Sequence, residues 1–230
     1  MKLLLARQMH PQAYIFDLDG TLVDSIHDIA DALNRALTDH HLQTAPIEMV
    51  RGWVGSGLRT LCQRACGNCA PELVGQVVVS ALAHYQRHPV VHSRLYPNIM
   101  QMLDLLKEHG AKLGVLSNKP HDLTVAVIDR LGISPYFTDI RGPESESTRK
   151  PAPDGARAIL DRLNIPPTDA FMVGDSAIDI ETARNVGMFS VGVSWGFRPI
   201  EEILAARPDF VVCDPMEIPA LEKKIPPGSR

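Results

Sequence analysis

The side chains best suited to chemistry stand directly after short apolar runs of the sequence, or just ahead of a helical pattern. They are carboxyl, hydroxyl and amide groups together with one lysine: Asp17 and Asp19, Ser117 and Asn118, Asp175, and Lys150. A single aspartate in such a position is commonly a turn residue or a helix cap, and a single lysine is commonly solvated. Several carboxylates brought together, however, repel one another unless a cation lies between them. The set indicates a cation-binding site with a lysine beside it.

The elements around these residues predict that they meet. Five apolar segments are typical of buried strands: 13–16, 112–116, 170–173, 189–193 and 210–212. Helical patterns alternate with the later ones, at 100–109, 121–131, 153–163 and 177–185. Such repeated strand–helix units predict an α/β fold, with a Rossmann-like parallel sheet core covered by helices on both faces. Ligands bind these sheets beyond the carboxyl ends of the strands, where the polar groups fall.

From about residue 24 to residue 94 the sequence shows helical patterns only. We therefore predict a catalytic core formed by residues 1–23 and 95–230, with an α-helical cap domain inserted as residues 24–94. The first cap helix has Ser25 followed three residues later by Asp28, which predicts a capping box at its start.

The overall charge excludes a broad basic surface of the kind that binds nucleic acid. The net charge is −4 and the isoelectric point is about 6.1. The apolar segment 1–6 stops at Arg7, too early for a secretory signal, and no run approaches the length of a membrane span. We expect a cytoplasmic protein with no nucleic-acid or membrane partner.

Three of the four cysteines follow a spacing that can hold an iron–sulfur cluster: Cys62, Cys66 and Cys69. The alternative is a helical segment in which the thiols are small, half-buried side chains, as free cysteines usually are. A cluster enzyme needs a longer chain around such a motif, so the second interpretation is favoured.

Four segments resemble the motifs of haloacid-dehalogenase-type phosphatases, and they occur in the order of that family. They are Asp17-Leu18-Asp19-Gly20-Thr21, Ser117-Asn118-Lys119-Pro120, Lys150-Pro151-Ala152-Pro153-Asp154 and Gly174-Asp175-Ser176-Ala177-Ile178-Asp179. Ser117 stands where the family usually has threonine, which keeps the hydroxyl group. The likeness is strongest to phosphoglycolate phosphatases with an inserted helical cap, and it implies the haloacid-dehalogenase fold.

The resemblance implies how the reaction is divided between two aspartates. Asp17 is expected to attack phosphorus and form an aspartyl-phosphate. Asp19 is expected to protonate the leaving oxygen and then to deprotonate the attacking water. The implied cofactor is Mg²⁺, held by the Asp17 side chain, the Asp19 backbone carbonyl and Asp175.

The resemblance also implies supporting groups around the phosphoryl site. Lys150 is expected to supply a fixed positive charge, and Ser117 a hydroxyl group for a phosphoryl oxygen. Asp179 and Asn118 are expected to lie next to these groups without contacting the phosphoryl group themselves. Asp179 either reaches the metal through water or orients Lys150.

The cap contains a glycine-rich segment at 52–57 that has two interpretations. It is either a helix-breaking turn, or a loop lowered onto the active site as in similar caps. In the second interpretation Gly55 and Gly57 leave backbone N–H groups open to an anion. Arg51 and Arg59 flank the segment and are predicted to pair with a substrate carboxylate.

The predicted partner is a small phosphorylated metabolite, with 2-phosphoglycolate as the first candidate. Phosphatases for phosphosugars, nucleotides or pyrophosphate remain alternatives, as does a sugar phosphomutase, although such mutases generally carry valine at the position of Thr21. Dehalogenases of the superfamily lack the second acid, so Asp19 disfavours that activity. A catalytically retired scaffold protein is disfavoured because the four expected catalytic and metal-binding residues are all retained, namely Asp17, Asp19, Lys150 and Asp175. The chain is expected to be a monomer or a homodimer.

Overall fold

The computed structural model describes residues 12–224. Within them the strands are β1 (Ala13–Phe16), β2 (Val23–Asp24), β3 (Arg94–Leu95), β4 (Lys112–Leu116), β5 (Asp139–Arg141), β6 (Ala170–Gly174), β7 (Phe189–Val193) and β8 (Phe210–Val212). The α-helices are α1 (Ile26–Asp39), α2 (Ile47–Trp53), α3 (Leu58–Cys66), α4 (Pro71–Arg87), α5 (Ile99–Glu108), α6 (His121–Arg130), α7 (Asp154–Leu163), α8 (Ala177–Val186) and α9 (Ile200–Ala205). Short 3₁₀ helices fill several connections.

The central sheet has six strands in the order β5-β4-β1-β6-β7-β8, and every neighbouring pair is parallel. Strand β1 lies in the middle, with Phe16 opposite Val115 of β4 and Val173 of β6. The residues that follow these three strands therefore meet at one edge of the sheet. The predicted α/β fold is confirmed. Strand β5 and helix α9 were not predicted.

Alternate side chains of β1 enter apolar clusters on the two faces of the sheet, as a period of two requires. Tyr14 and Phe16 pack in one cluster, whereas Ala13 and Ile15 pack in the other. All four are fully buried. Because both faces are covered by helices, the first strand carries no charged side chain until Asp17.

Helices α1 to α4 contribute most of a third apolar cluster. Two residues from outside this helical segment, Leu123 and Phe197, complete it. At its base β2 and β3 form an antiparallel pair, with Asp24 opposite Arg94. The expectation of helices alone in the inserted segment is wrong at these two ends. The domain boundaries themselves stay a prediction. Cys62 and Cys66 are buried in α3, as the helical interpretation predicts.

The predicted capping box at the start of α1 is wrong. Ser25 makes no capping hydrogen bond, and its hydroxyl group donates to Asp19 instead, at 2.6 Å. Asp28 accepts hydrogen bonds from the backbone N–H groups of residues 91–93 and from the Ser93 hydroxyl, at 2.6–3.1 Å. Instead of a capping box within α1, Asp28 forms a tertiary contact with residues 91–93, which lead the chain back to the core.

Within residues 12–224, no helix combines the length and the apolar composition that crossing a bilayer requires. The apolar start of the sequence at 1–6 lies outside the described residues.

Candidate active site

Asp17, Lys150 and Asp179 form a buried row of charges at the carboxyl edge of the sheet. Lys150 Nζ lies 2.8 Å from Asp17 Oδ1 and 2.7 Å from Asp179 Oδ1. The other Asp179 oxygen accepts hydrogen bonds from the backbone N–H and the hydroxyl of Ser176, which caps α8. The two Asp179 oxygens are thus bonded to Lys150 and Ser176, and which of its two expected roles it plays stays a prediction.

Asp175 completes a group of three carboxylates. Asp17, Asp175 and Asp179 each offer an oxygen, and these oxygens lie within 4.8 Å of one another. Asp175 Oδ2 accepts a hydrogen bond from the backbone N–H of Phe197, at 2.7 Å. The turn after β1 passes close to this carboxylate at Gly20, whose φ is +90°, so a side chain there would overlap Asp175.

The electrostatics of this cluster favour an additional cation. Burial raises the pKa of Asp17 to about 7, against the lowering effect of Lys150. Burial and the charges of Asp17 and Asp179 raise the pKa of Asp175 well above its usual range. Burial opposes the charged form of Lys150, but the two aspartates beside it outweigh this and raise its pKa. Three carboxylates thus share one ammonium group, and their hard oxygen atoms suit a divalent metal ion.

Asn118 and Ser117 follow β4 and connect the site to its surroundings. The Asn118 carboxamide accepts from the backbone N–H of Lys150 at 2.8 Å and donates to the Lys150 carbonyl at 3.0 Å. These two bonds fix the backbone from which the lysine projects. The Ser117 hydroxyl accepts a bond from the N–H of Lys119 at 3.3 Å and lines the cavity beside Asp17.

Asp19 contacts Lys119, a residue that was not predicted to belong to the site. Lys119 Nζ lies 2.7 and 2.8 Å from its two carboxylate oxygens, and 2.8 Å from the hydroxyl of Tyr85 on α4. The side chain of Lys119 is 4% exposed. Its position directly after Asn118 in the second motif was the available signal, but a buried partner from the cap is not visible in sequence.

The glycine-rich segment at 52–57 lies against the core through its carbonyl groups. Four side chains outside the segment donate to them: Asn118 to Gly55 at 2.9 Å, Arg149 to Ser56 at 3.0 Å, Arg198 to Gly52 at 2.7 Å and Val54 at 2.5 Å, and Arg64 of α3 to Trp53 at 3.1 Å. Gly57 has φ +88°, and a Cβ there would lie 2.8 Å from the Arg149 guanidinium carbon. The close approach requires glycine at this position.

The structure does not bring the two flanking arginines to the site. The Arg51 guanidinium stacks over the Phe197 ring at 5.6 Å. Arg59 is half exposed, and its Nε lies 3.9 Å from Glu146. Neither residue lines the cavity beside Asp17, although Gly55 and Gly57 both do. The expected pairing of these arginines with a substrate carboxylate has no support in this arrangement.

The cavity over Asp17 and Asp19 has a volume of about 60 Å³. Its floor is polar, and its upper wall is largely aliphatic, with contributions from the cap helices, the glycine-rich segment and α6: Ile29, Leu33, Val54, Leu58, Leu61 and Leu123. The cavity therefore offers polar groups at its floor and mostly hydrocarbon above them.

A family model described as haloacid dehalogenase-like hydrolase matches residues 14–193. The chain belongs to this family. The matched region begins in β1 and ends with β7, so it contains all four motifs and the whole inserted segment of this haloacid dehalogenase-like hydrolase.

Relatives of this haloacid dehalogenase-like hydrolase carry a common name. A phosphoglycolate phosphatase of Psychrobacter arcticus is 34% identical over 208 residues, which cover 87% of this chain and 90% of the relative. One of Neisseria meningitidis is 36% identical over 211 residues, covering 88% and 90%. A crystal structure from Haemophilus somnus, described as a predicted phosphoglycolate phosphatase, has a TM-score of 0.85 at 31% identity and covers 91% of this chain and 97% of its own. The predicted family, fold and enzyme class, a phosphoric monoester hydrolase, are confirmed.

Proposed function

We propose that this chain is a Mg²⁺-dependent phosphatase that hydrolyses a small phosphorylated metabolite through an aspartyl-phosphate on Asp17, with 2-phosphoglycolate as the first candidate substrate. The observation that carries the proposal is the pairing of Asp17 with Lys150 at 2.8 Å, beside Asp175 and at the floor of a cavity. A carboxylate attacking an anionic phosphoryl group is repelled unless positive charge is supplied, and Lys150 supplies part of it.

In the first step an oxygen of Asp17 attacks phosphorus while the bond from phosphorus to the leaving oxygen breaks. The phosphoryl group is then bound to Asp17, and Asp19 gives its proton to the departing alkoxide. Ser117, which lines the same cavity, is suited to donate a hydrogen bond to a phosphoryl oxygen.

In the second step water attacks phosphorus, and the bond from phosphorus to Asp17 breaks. Asp19 takes the proton from the water, so the enzyme returns to its starting state and inorganic phosphate leaves. One carboxyl group thus serves both proton transfers, in opposite directions.

The acidic cluster supports a requirement for a divalent metal ion. Asp17 and Asp175 would hold it through their carboxylates, together with the backbone carbonyl of Asp19. Bound Mg²⁺ supplies positive charge to the phosphoryl oxygens. Asp179 is committed to Lys150 and Ser176, so we assign it to orientation of the lysine rather than to the metal.

A small substrate is supported by the size of the cavity and by the names of the relatives. The aliphatic wall offers few partners for the hydroxyl groups of a sugar, and burying them without partners costs free energy. This disfavours the phosphosugar alternatives.

We also propose that the protein is located in the cytoplasm.

The test is turnover of an aryl phosphate with and without Mg²⁺, followed by a panel of phosphorylated metabolites ranked by kcat/KM. We expect Mg²⁺-dependent turnover, with 2-phosphoglycolate ahead of phosphosugars, nucleoside monophosphates and pyrophosphate. Phosphatase activity that survives complete metal removal would contradict the metal assignment. A sugar phosphate at the head of the panel would contradict the substrate assignment.

A further inference from the structure

Lys119 occupies an unusual position for a lysine. Its ammonium group is almost fully buried and lies within 2.8 Å of both Asp19 oxygens and of the Tyr85 hydroxyl. It also lies 4.5 Å from the centre of the Tyr85 ring. A buried ammonium without partners is costly, so the contacts from core and cap are what allow it to remain there.

Among the described residues that line the cavity, Lys119 is the only lysine or arginine. The wall opposite the polar floor is aliphatic, and Arg51 and Arg59 lie elsewhere. Any anionic group on the organic part of a substrate has this one ammonium group to pair with inside the cavity.

We propose that Lys119 is the specificity-determining residue of this site, and that it recognises a carboxylate on the leaving group of the phosphate ester. The inference rests on the proposed phosphatase function and names its substrate class, a short phosphorylated hydroxy acid. In the free enzyme Asp19 occupies the position of that carboxylate as the partner of Lys119.

Substrate binding then exchanges one ion pair for another. The leaving-group carboxylate takes the Lys119 ammonium, and Asp19, freed from the ion pair, takes up a proton from water and turns toward the leaving oxygen, to which it then gives that proton. An alkyl phosphate with an uncharged leaving group offers no such exchange, so Lys119 stays bound to Asp19 and holds it away from the reacting bond. An interaction that helps the reaction only when the correct group is present raises kcat as well as affinity.

The matched pair of substrates is 2-phosphoglycolate and ethyl phosphate, which differ by the carboxylate. In Lys119→Met, kcat/KM for 2-phosphoglycolate should fall by about 10²-fold or more, because a charge-assisted contact is lost. For ethyl phosphate the same variant should stay within about tenfold of the wild type, or gain, because Asp19 is no longer held. Lys112→Met, at the opposite end of β4 with its ammonium bound to the Leu163 carbonyl at 2.6 Å, is the control and should leave both substrates unchanged.

The outcomes separate this inference from the proposed function. Equal losses on both substrates in Lys119→Met would show a merely structural role and overturn the inference. So would a wild-type enzyme that does not prefer 2-phosphoglycolate over ethyl phosphate, a result that needs no folded variant. Absence of turnover on both esters and on an aryl phosphate with Mg²⁺ would overturn the proposed function, and the inference with it.

Discussion

The Asp179 carboxylate lies 2.7 Å from the Lys150 ammonium, and neither side chain is more than 2% exposed. Asp179 is also the third residue of the capping box that begins α8. The start of α8 and the lysine that faces Asp17 therefore share one carboxylate.

Replacing Asp179 by asparagine should damage both activity and stability. The amide is neutral, and because its NH₂ group replaces one of the two oxygens, it cannot accept the bonds from both Lys150 and Ser176. We expect kcat to fall on the order of 10²-fold through misplacement of Lys150, and the free energy of unfolding to fall by about 3 kcal/mol. Turnover rates and urea denaturation measure the two effects. Asp161→Asn, exposed on α7, is the control. A wild-type kcat and a wild-type free energy of unfolding in Asp179→Asn would show that Asp179 does not position Lys150.

Asp19→Asn should slow the reaction by about 10²–10⁴-fold, because one group serves both proton transfers. The loss should be larger for 2-phosphoglycolate than for an aryl phosphate, since an aryl oxide leaves without much help from an acid. Single-turnover rates with the two esters provide the comparison. The same small loss with both would show that Asp19 is not the acid.

Asp175→Asn should raise the Mg²⁺ concentration needed for half-maximal activity. The amide oxygen can still accept the Phe197 N–H bond, so the change is confined to charge. Wild-type enzyme stripped with EDTA should be inactive, and Ca²⁺ should fail to restore it because calcium accepts more oxygens in looser geometry. An unchanged Mg²⁺ requirement in Asp175→Asn would exclude the residue as a metal ligand.

Asp28 provides a test of stability against pH. Burial alone raises its pKa, but hydrogen bonds from Ser93 and from the backbone of residues 91–93 outweigh this and hold the pKa below its usual range. A carboxyl group with a depressed folded-state pKa stabilises the protein above its unfolded pKa of about 4, and this contribution disappears as the pH falls through the folded value.

We therefore expect Asp28→Asn to unfold with about 2–3 kcal/mol less free energy than the wild type at neutral pH, because bonds to a charged acceptor are lost. The difference should shrink as the pH falls below about 4, where the carboxyl group of the unfolded wild-type chain takes up a proton, and it should vanish once the folded-state carboxyl group is protonated as well. Urea denaturation at several pH values measures it. A difference in the free energy of unfolding between wild type and Asp28→Asn that stays constant down to the lowest pH would show that the ionised carboxylate is not the stabilising form.

The parts of the site that could be predicted are those that stand at the ends of apolar runs. Strands β1, β4 and β6 are buried on both faces, so their sequences are continuously apolar and the first polar residues mark their ends. This placed Asp17, Ser117 and Asp175 at one edge. Strand β5, with two charged residues among its three, gives no such signal and was missed.

The parts that could not be predicted depend on contacts between distant segments. Lys119 is buried because Tyr85 of the cap covers it, and no local pattern distinguishes it from a solvated lysine. Arg149 and Arg198 bind backbone carbonyls, which have no signature in the sequence of the segment that supplies them. Asp28 fitted a local capping pattern, yet its partners lie more than 60 residues away.

The central claim, that Asp17 accepts the phosphoryl group, is tested most directly by acid quenching of the enzyme during turnover of an aryl phosphate, followed by peptide mass spectrometry. We predict a single phosphoryl group on the peptide that contains Asp17, removable by hydroxylamine and absent from Asp17→Asn, which should be folded and inactive. A phosphoryl group on another residue, or a wild-type enzyme that turns over with none on any residue, would contradict the account.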